Sequence, residues 1–246
     1  MVNFASNEKY FVSSHRGAPD ICPEGSLNSI QNAIDMGCDI IEIDVRPSRN
    51  KVYYNFHDGL LERTTDAKGA FCRKTSSEID KISLIKKTSF GLLREKIPKV
   101  EEIIEKFYDK VYFYFDVKPE TDIDHFMSVL DKYNLQEKCF FWFKDKKVVD
   151  HFVSTYPNYS IKMNISNIED AILCKKKYKP SIFECSLDNY SEDIYKFCVK
   201  YRIKLMLSIH RKERYFGKIE FKYKFHIVNV HNIKPLVCLK GKCKGV

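Results

Sequence analysis

Beyond residue 100 the chain alternates short apolar runs with longer amphipathic stretches. The runs at 111–117 (VYFYFDV), 139–143 (CFFWF), 159–165, 181–187, 203–209 (IKLMLSI) and 225–230 (FHIVNV) have the length and the aromatic and β-branched content of buried strands. Between them, 123–133, 147–154, 168–175 and 194–201 place apolar residues at helical spacing, and 100–108 does so ahead of the first run. Upstream, 10–14 predicts a strand. Leu27, Ile30, Ala33 and Ile34 predict a helix, and Gly37 supplies its stop.

Residues 39–58, DIIEIDVRPSRNKVYYNFHD, behave differently. Glu42 and Asp44 sit two apart inside an aliphatic run, so a strand projects both carboxylates to one face. The run at 52–56 follows after six residues, too few for a crossover to a parallel neighbour, which predicts a hairpin. With Asn50 and Lys51 as the turn, His57 lies opposite Asp44; a register slipped by one is the alternative. Counting the run at 52 as the return arm leaves eight strands mostly separated by helices. That pattern predicts an α/β chain folded as a single (β/α)8 barrel over residues 1–246. An open doubly wound sheet is the structural alternative, but no G-x-G-x-x-G or Walker-type loop supports it. Residues 59–98 are polar, weakly periodic and too long for a plain connection, and are expected to form a small cap-like insertion after the hairpin.

Composition narrows the class without naming a function. A chain of 246 residues with 44% hydrophobic and 30% charged residues suits a soluble globular protein. It contains no run of eighteen apolar residues, and its first residues lack the basic-then-apolar order of a signal peptide, so a cytoplasmic protein is expected. Nine cysteines without a paired C-x-x-C predict reduced thiols rather than a disulfide scaffold or a zinc site. The net charge of +9 is unevenly placed: residues 1–195 carry 28 Lys+Arg against 31 Asp+Glu, whereas 196–246 carry 14 against 2. A Lys-rich solvated surface explains this excess, and contact with an anionic membrane or an anionic substrate is the alternative.

The chemistry gathers where a barrel of this kind keeps it, at the C-terminal strand ends. His15 and Arg16 end the first strand, Glu42 and Asp44 belong to the second, and Asp116 and Lys118 share a face of the next. Two carboxylates side by side on a buried strand repel and are costly to desolvate, and a divalent cation removes that cost. Solvated acids on an exposed face are the bland alternative for the pair. Two histidines, two or three cations and three carboxylates at one barrel end suit a metal-assisted reaction on a phosphate ester.

Taken in order, H-R-G at 15–17, P-E-G-S at 23–26, I-E-I-D-V at 41–45, H-D at 57–58, R-T-T at 63–65 and D-V-K-P at 116–119 resemble the signature of the glycerophosphodiester phosphodiesterases. The likeness is strong over 10–120 and weak beyond. Departures are Asp116 where many members have Glu, P-E-G-S for P-E-N-T, and L-S-I-H at 207–210 for W-T-V-N. The resemblance implies hydrolysis of a small-molecule glycerophosphodiester to sn-glycerol 3-phosphate and an alcohol. It implies one Mg²⁺ or Ca²⁺ held by Glu42, Asp44 and Asp116, since oxygen-only ligands suit hard cations. It further implies that Arg16 and Lys118 stabilise charge on the phosphate, that Glu24 orients Arg16 or a hydroxyl, and that His15 and His57 divide the acid and base roles. No nucleic-acid partner is expected. The alternatives are a phospholipase D-like lyase on the same barrel and a non-catalytic phosphate or lipid-headgroup module docking through the basic C-terminal region.

Overall fold

The computed structural model describes residues 2–4, 9–209 and 222–239. Eight strands pair in parallel and close on themselves: β1 (Phe11–Ser14), β2 (Ile40–Pro47), β6 (Tyr112–Val117), β7 (Cys139–Phe143), β8 (Ser160–Asn164), β9 (Ile182–Ser186), β10 (Lys204–Ser208) and β11 (Ile227–Val230), which returns to β1. The numbering skips because β3 (Tyr53–Asn55) is the antiparallel return arm on β2, and β4 (Ser83–Thr88) and β5 (Gly91–Lys96) form a separate two-stranded ribbon. The expected barrel is therefore present, with its hairpin and its insertion.

The period-two alternation of the strands decides which side chains meet. Outward-facing Val12, Ile41, Ile43, Phe113, Phe115, Phe141, Phe183, Leu205 and Val228 pack with the helices into one continuous core. Inward-facing Phe11, Ile40, Tyr114, Phe140, Ile182, Met206 and Ile227 fill the lower barrel, where Phe4 packs its ring 4.9 Å from those of Phe11 and Tyr112. Two residues further along the strands the interior turns polar, and this layer forms the floor of the site.

Helices α1 (Leu27–Asp35), α4 (Ile123–Leu130), α5 (Lys146–Thr155), α6 (Ile168–Tyr178) and α7 (Glu192–Lys200) each start on a side-chain cap. Ser26, Asp122, Asp145, Asn167 and Ser191 accept a backbone N–H of the first turn. Each such cap contributes about 1 kcal/mol and fixes where the preceding loop ends. Among the described residues the remaining α-helices are α2 (Ser76–Ile79), α3 (Val100–Phe107) and α8 (Lys234–Leu239). Among the described residues, no helix is long and apolar enough to cross a membrane.

The hairpin register differs from the two-residue turn. Val45 pairs with Asn55 and Pro47 with Tyr53, and the Phe56 N–H donates to the Asp44 carbonyl at 2.9 Å. The loop is Arg49–Asn50–Lys51, with Lys51 left-handed at φ 60° and the Ser48 N–H closing on the Val52 carbonyl at 2.8 Å. A three-residue loop with its last residue in the left-handed region is the next commonest hairpin, and it slips the pairing by one. Phe56, not His57, therefore faces Asp44.

Residues 59–98 carry α2 and the β4–β5 ribbon around their own small core of Leu61, Phe71, Ile79, Ile82, Leu84 and Ile97, which also takes in Tyr54 and Phe56 of the hairpin arm. Among the described residues seven cysteines are free thiols, as expected, but Cys238 is disulfide-bonded, so the expectation of reduced thiols fails there. Arg211, Lys212 and Arg214, and the lysines at 240, 242 and 244, also lie outside the described residues.

One partly buried histidine makes the fold sensitive to acid. His226 accepts the Leu205 N–H on Nδ1 at 3.0 Å and stacks 5.5 Å from the Tyr195 ring. Burial, and then Lys204, push its pKa down to about 4. A depressed histidine stabilises the fold only while neutral, so its contribution is complete above the unfolded value near 6.5 and is lost as pH falls toward 4. Discounted for partial exposure, the loss is about 2 kcal/mol. Urea midpoints at pH 7.5 and 4.5 should therefore converge in His226→Asn, which keeps an acceptor; an unchanged gap between the two pH values refutes the assignment.

Candidate active site

The polar end of the barrel collects every residue expected to carry chemistry. His15 and Arg16 follow β1 directly. Arg16 is left-handed at φ 64° and Gly17 at φ 81°, a sharp corner that turns both side chains onto the mouth. A Cβ on Gly17 would lie 2.5 Å from Ser29 Oγ and 2.8 Å from the Ser29 carbonyl carbon, so the corner requires glycine.

Glu42 and Asp44 project inward from β2, and Asp116 from β6, where the register pairs Asp44 with Asp116. Each of the three offers an oxygen within 4.8 Å of the others. Lys118 Nζ bridges Asp44 at 2.5 Å and Asp116 at 3.0 Å, and Arg16 Nε stands 3.5 Å from Asp44. The cluster is under strain from like charge. Burial, then Asp44 and Asp116, hold the Glu42 carboxyl well above the usual range. Asp116 is raised as well, by burial first and by Asp44, against the pull of Lys118. For Lys118, burial acts downward, but the carboxylates of Asp44 and Asp116 more than offset it.

This arrangement fits a hard divalent cation. Glu42 Oε2 and Asp116 Oδ1 are buried without a hydrogen bond, and the donor set is oxygen only. A cation there replaces missing hydrogen bonds and relieves the repulsion that raises both pKa values.

The two histidines approach the cluster by different routes. His15 Nε2 lies 3.5 Å from Glu42, and its Nδ1 meets Nδ1 of His231 at 3.0 Å. It lines a cavity of about 410 Å³ together with Glu42 and Asp116. His57, just past β3, borders a smaller gap with Arg16, Glu24 and Asp44. Its Nδ1 bonds Asp58 at 2.7 Å. Hydrogen bonds with Arg63 and His57 outweigh the effect of burial and bring Asp58 down to about 2.

Glu24 anchors the rim. It accepts from Arg16 at 3.2 Å and takes a two-pronged contact from Arg63 at 2.9 and 2.6 Å, while Arg63 also bonds Asp58. Burial raises its carboxyl less than Arg63 and Arg16 lower it. The R-T-T motif thus ties His57, through Asp58, to Arg16, through Glu24.

Several residues at the site went unread in the sequence. Arg46, buried on β2, donates to the carbonyls of Phe56 at 3.3 Å and His57 at 2.7 Å and to Glu120 at 2.9 Å, pinning the chain that carries His57. Asn55 accepts the Asp44 N–H and donates to the Gly25 carbonyl, both at 2.8 Å, joining the β1–α1 loop to the cluster. His231, at the end of β11, is packed on His15 with ring centroids 4.3 Å apart; burial, then Arg16, lower its pKa. Their common signal is a polar residue at a strand end with no surface reason to be there.

The class of protein that the fold and site define is a closed parallel barrel with a three-carboxylate cluster, two histidines and paired cations at its mouth. The sequence profile of the glycerophosphoryl diester phosphodiesterase family matches residues 15–178, and the chain belongs to that family. It is 27% identical over 128 residues to a glycerophosphodiester phosphodiesterase of Bacillus subtilis (strain 168), covering 48% of this chain and 44% of that protein. It is 31% identical over 111 residues to glycerophosphodiester phosphodiesterase 1 of Homo sapiens, covering 43% of this chain and 33% of that protein. The chain thus matches about half or less of the length of these curated relatives. Among solved structures, it resembles a glycerophosphodiester phosphodiesterase from Agrobacterium tumefaciens with a TM-score of 0.83 at 21% identity, covering 93% of this chain and 99% of that one. It also resembles an Oleispira antarctica phosphodiesterase solved with the product sn-glycerol-3-phosphate, with a TM-score of 0.77 at 19% identity, covering 94% and 96%. At these identities, the likeness concerns the fold.

Proposed function

We propose that this chain hydrolyses glycerophosphodiesters to sn-glycerol 3-phosphate and an alcohol. The observation that carries the reading is the meeting of Glu42, Asp44 and Asp116 beside His15 and Arg16 at one barrel mouth. Glu42, Asp44 and Asp116 would hold one Mg²⁺ or Ca²⁺, which when bound would supply Lewis-acid screening of phosphate charge. Arg16 presents a planar guanidinium to the phosphate and is kept in place by Glu24. Lys118 neutralises the carboxylates and adds positive charge on the phosphate side. His15, in the larger cavity with Glu42 and Asp116, and His57, in the smaller gap with Arg16 and Asp44, divide proton removal from the nucleophile and proton donation to the leaving alcohol. Asp58 orients His57.

Residues 59–98 act as a cap over the His57 side of the mouth, resting on their own core. The protein works in the cytoplasm.

The test is an assay against several glycerophosphodiesters with and without a chelator. Expected is release of sn-glycerol 3-phosphate that stops with chelator and returns with added Mg²⁺ or Ca²⁺. Accumulation of a cyclic phosphate as the end product would instead indicate a lyase, and absence of any turnover would favour the binding-module reading.

A further inference from the structure

We propose that the tip of the β4–β5 ribbon is a docking surface for an anionic lipid bilayer, which holds the barrel mouth beside the membrane. The proposal concerns a face that the residues of the site do not use, and it is independent of the chemistry assigned to them.

The ribbon carries apolar residues that no core takes up. Its base joins the small core of the insertion through Leu84, but beyond Leu84 neither strand contributes to it. Phe90, in the turn, is fully exposed, and Leu92 and Leu93 follow at 43% and 40% exposure. Such turns ordinarily take Gly, Asn, Asp or Ser. Here the Thr88 hydroxyl accepts the Phe90 N–H at 3.2 Å and donates to the Gly91 carbonyl at 2.9 Å, closing a turn that presents an aromatic ring to solvent. Ile21 of the β1–α1 loop is exposed as well, and Lys86 ties that loop to the ribbon by donating to the Pro19 carbonyl.

The surroundings of the tip are basic. Lys86 stands opposite Leu93 and Lys87 opposite Leu92, with Arg94 and Lys96 further along β5. Against these four cations the ribbon has one acid, Glu95, which lies opposite Leu84 at the base. Arg94 is paired with Asp66, whereas Lys87 and Lys96 are exposed and make no ion pair among the described residues.

An aromatic ring and two leucines collared by lysines fit the boundary between headgroups and acyl chains, where apolar groups enter and cations meet anionic headgroups. A second copy of this chain fits worse. A twofold contact through the tip would set Lys86 and Lys87 against the same residues of the copy. The ribbon is also placed to matter for the mouth. Leu84 borders the gap lined by Arg16, Glu24, Asp44 and His57, and Phe90 follows it by six residues, roughly 20 Å of extended chain. A docked tip therefore keeps that gap close to the lipid surface.

Sedimentation of the full chain with vesicles tests this, with equal parts phosphatidylcholine and phosphatidylserine set beside phosphatidylcholine alone. The wild type should bind the mixed vesicles at least tenfold more strongly, and less so as salt screens the cations. Phe90→Asp should weaken that binding at least tenfold, as expected when an aromatic side chain no longer leaves water. The pair Lys87→Glu with Lys96→Glu should weaken it by a similar factor on mixed vesicles and leave phosphatidylcholine alone unchanged. All three positions are exposed, so thermal unfolding should match the wild type and separate a lost surface from a lost fold. A wild type without preference for the mixed vesicles, or undiminished binding by folded Phe90→Asp, overturns the proposal. A dimer that Phe90→Asp dissociates, with no vesicle binding, assigns the tip to a second copy and overturns it too. Tip-dependent vesicle binding by a protein that turns over no diester supports the proposal and overturns only the phosphodiesterase reading.

Discussion

Glu42→Gln is expected to lose at least a thousandfold in turnover and, at the same time, to become more stable than the wild type in the presence of a chelator. The two effects have one origin. In the cation-free protein, Glu42 is buried beside Asp44 and Asp116, and its carboxyl is held well above the usual range by that burial and then by those neighbours. A carboxyl whose folded pKa is raised favours the fold while protonated. Its stabilisation is complete below the unfolded value near 4.3 and is lost as pH rises through the folded value. By neutral pH the wild type has therefore lost stability that glutamine, which does not ionise, keeps. A bound divalent cation reverses the balance, because the ion binds the folded state and adds stability as its concentration exceeds the dissociation constant. Thermal unfolding with chelator and with Mg²⁺ or Ca²⁺ should show a rise on adding cation in the wild type and a much smaller one in Glu42→Gln. Cation affinity should also weaken as pH falls, since protons compete for Glu42 and for Asp116, which is raised in the same direction. Equal cation-induced shifts in both proteins would exclude Glu42 as a ligand.

Much of this site was readable because its residues sit on strands whose neighbours announce them. In IIEIDV and VYFYFDVK the acids alternate with aliphatic or aromatic residues, so face and strand end follow from period two alone. The hairpin register was not readable to one residue, because Lys51 adopts a left-handed conformation without the glycine that usually marks it. The β4–β5 ribbon escaped for the opposite reason. Five of the six residues of β5 are exposed, so no alternation of apolar and polar positions exists to be seen. Lys162 and Glu184 were invisible on other grounds. A lysine in SIKMN and a glutamate in IFECS read as ordinary outward-facing polar residues, and only closure of the barrel shows that both point inward. His231 and Asn229 fall where the likeness to the family fades, and it is β11 pairing with β1 that brings them to His15.

Replacing either His15 or His57 is expected to lower turnover by roughly 10² to 10⁴ while leaving the fold intact, because a positioned acid or base contributes about that much. The two should nevertheless differ. His57 is half-exposed and held by one partner, Asp58, with Arg63 behind it. Asp58→Asn keeps the shape of that partner but not its charge, so it should reproduce part of the His57→Ala loss, roughly tenfold, with little change in KM. His15 is buried between Glu42 and His231, and His15→Ala opens space next to Glu42, the proposed cation ligand. That variant should bind its cation less tightly as well as turn over more slowly, whereas His57→Ala should bind the cation normally. The measurement is cation titration of both variants by thermal shift, set beside kcat at saturating cation. If both histidines work as an acid–base pair, neither variant recovers its kcat when cation is in excess. Recovery of His15→Ala by excess cation would reduce His15 to a support for Glu42 and leave His57 as the single proton-transfer group of the two. Near-normal kcat in His57→Ala would remove it from the chemistry and shift the search for a second proton carrier to His231.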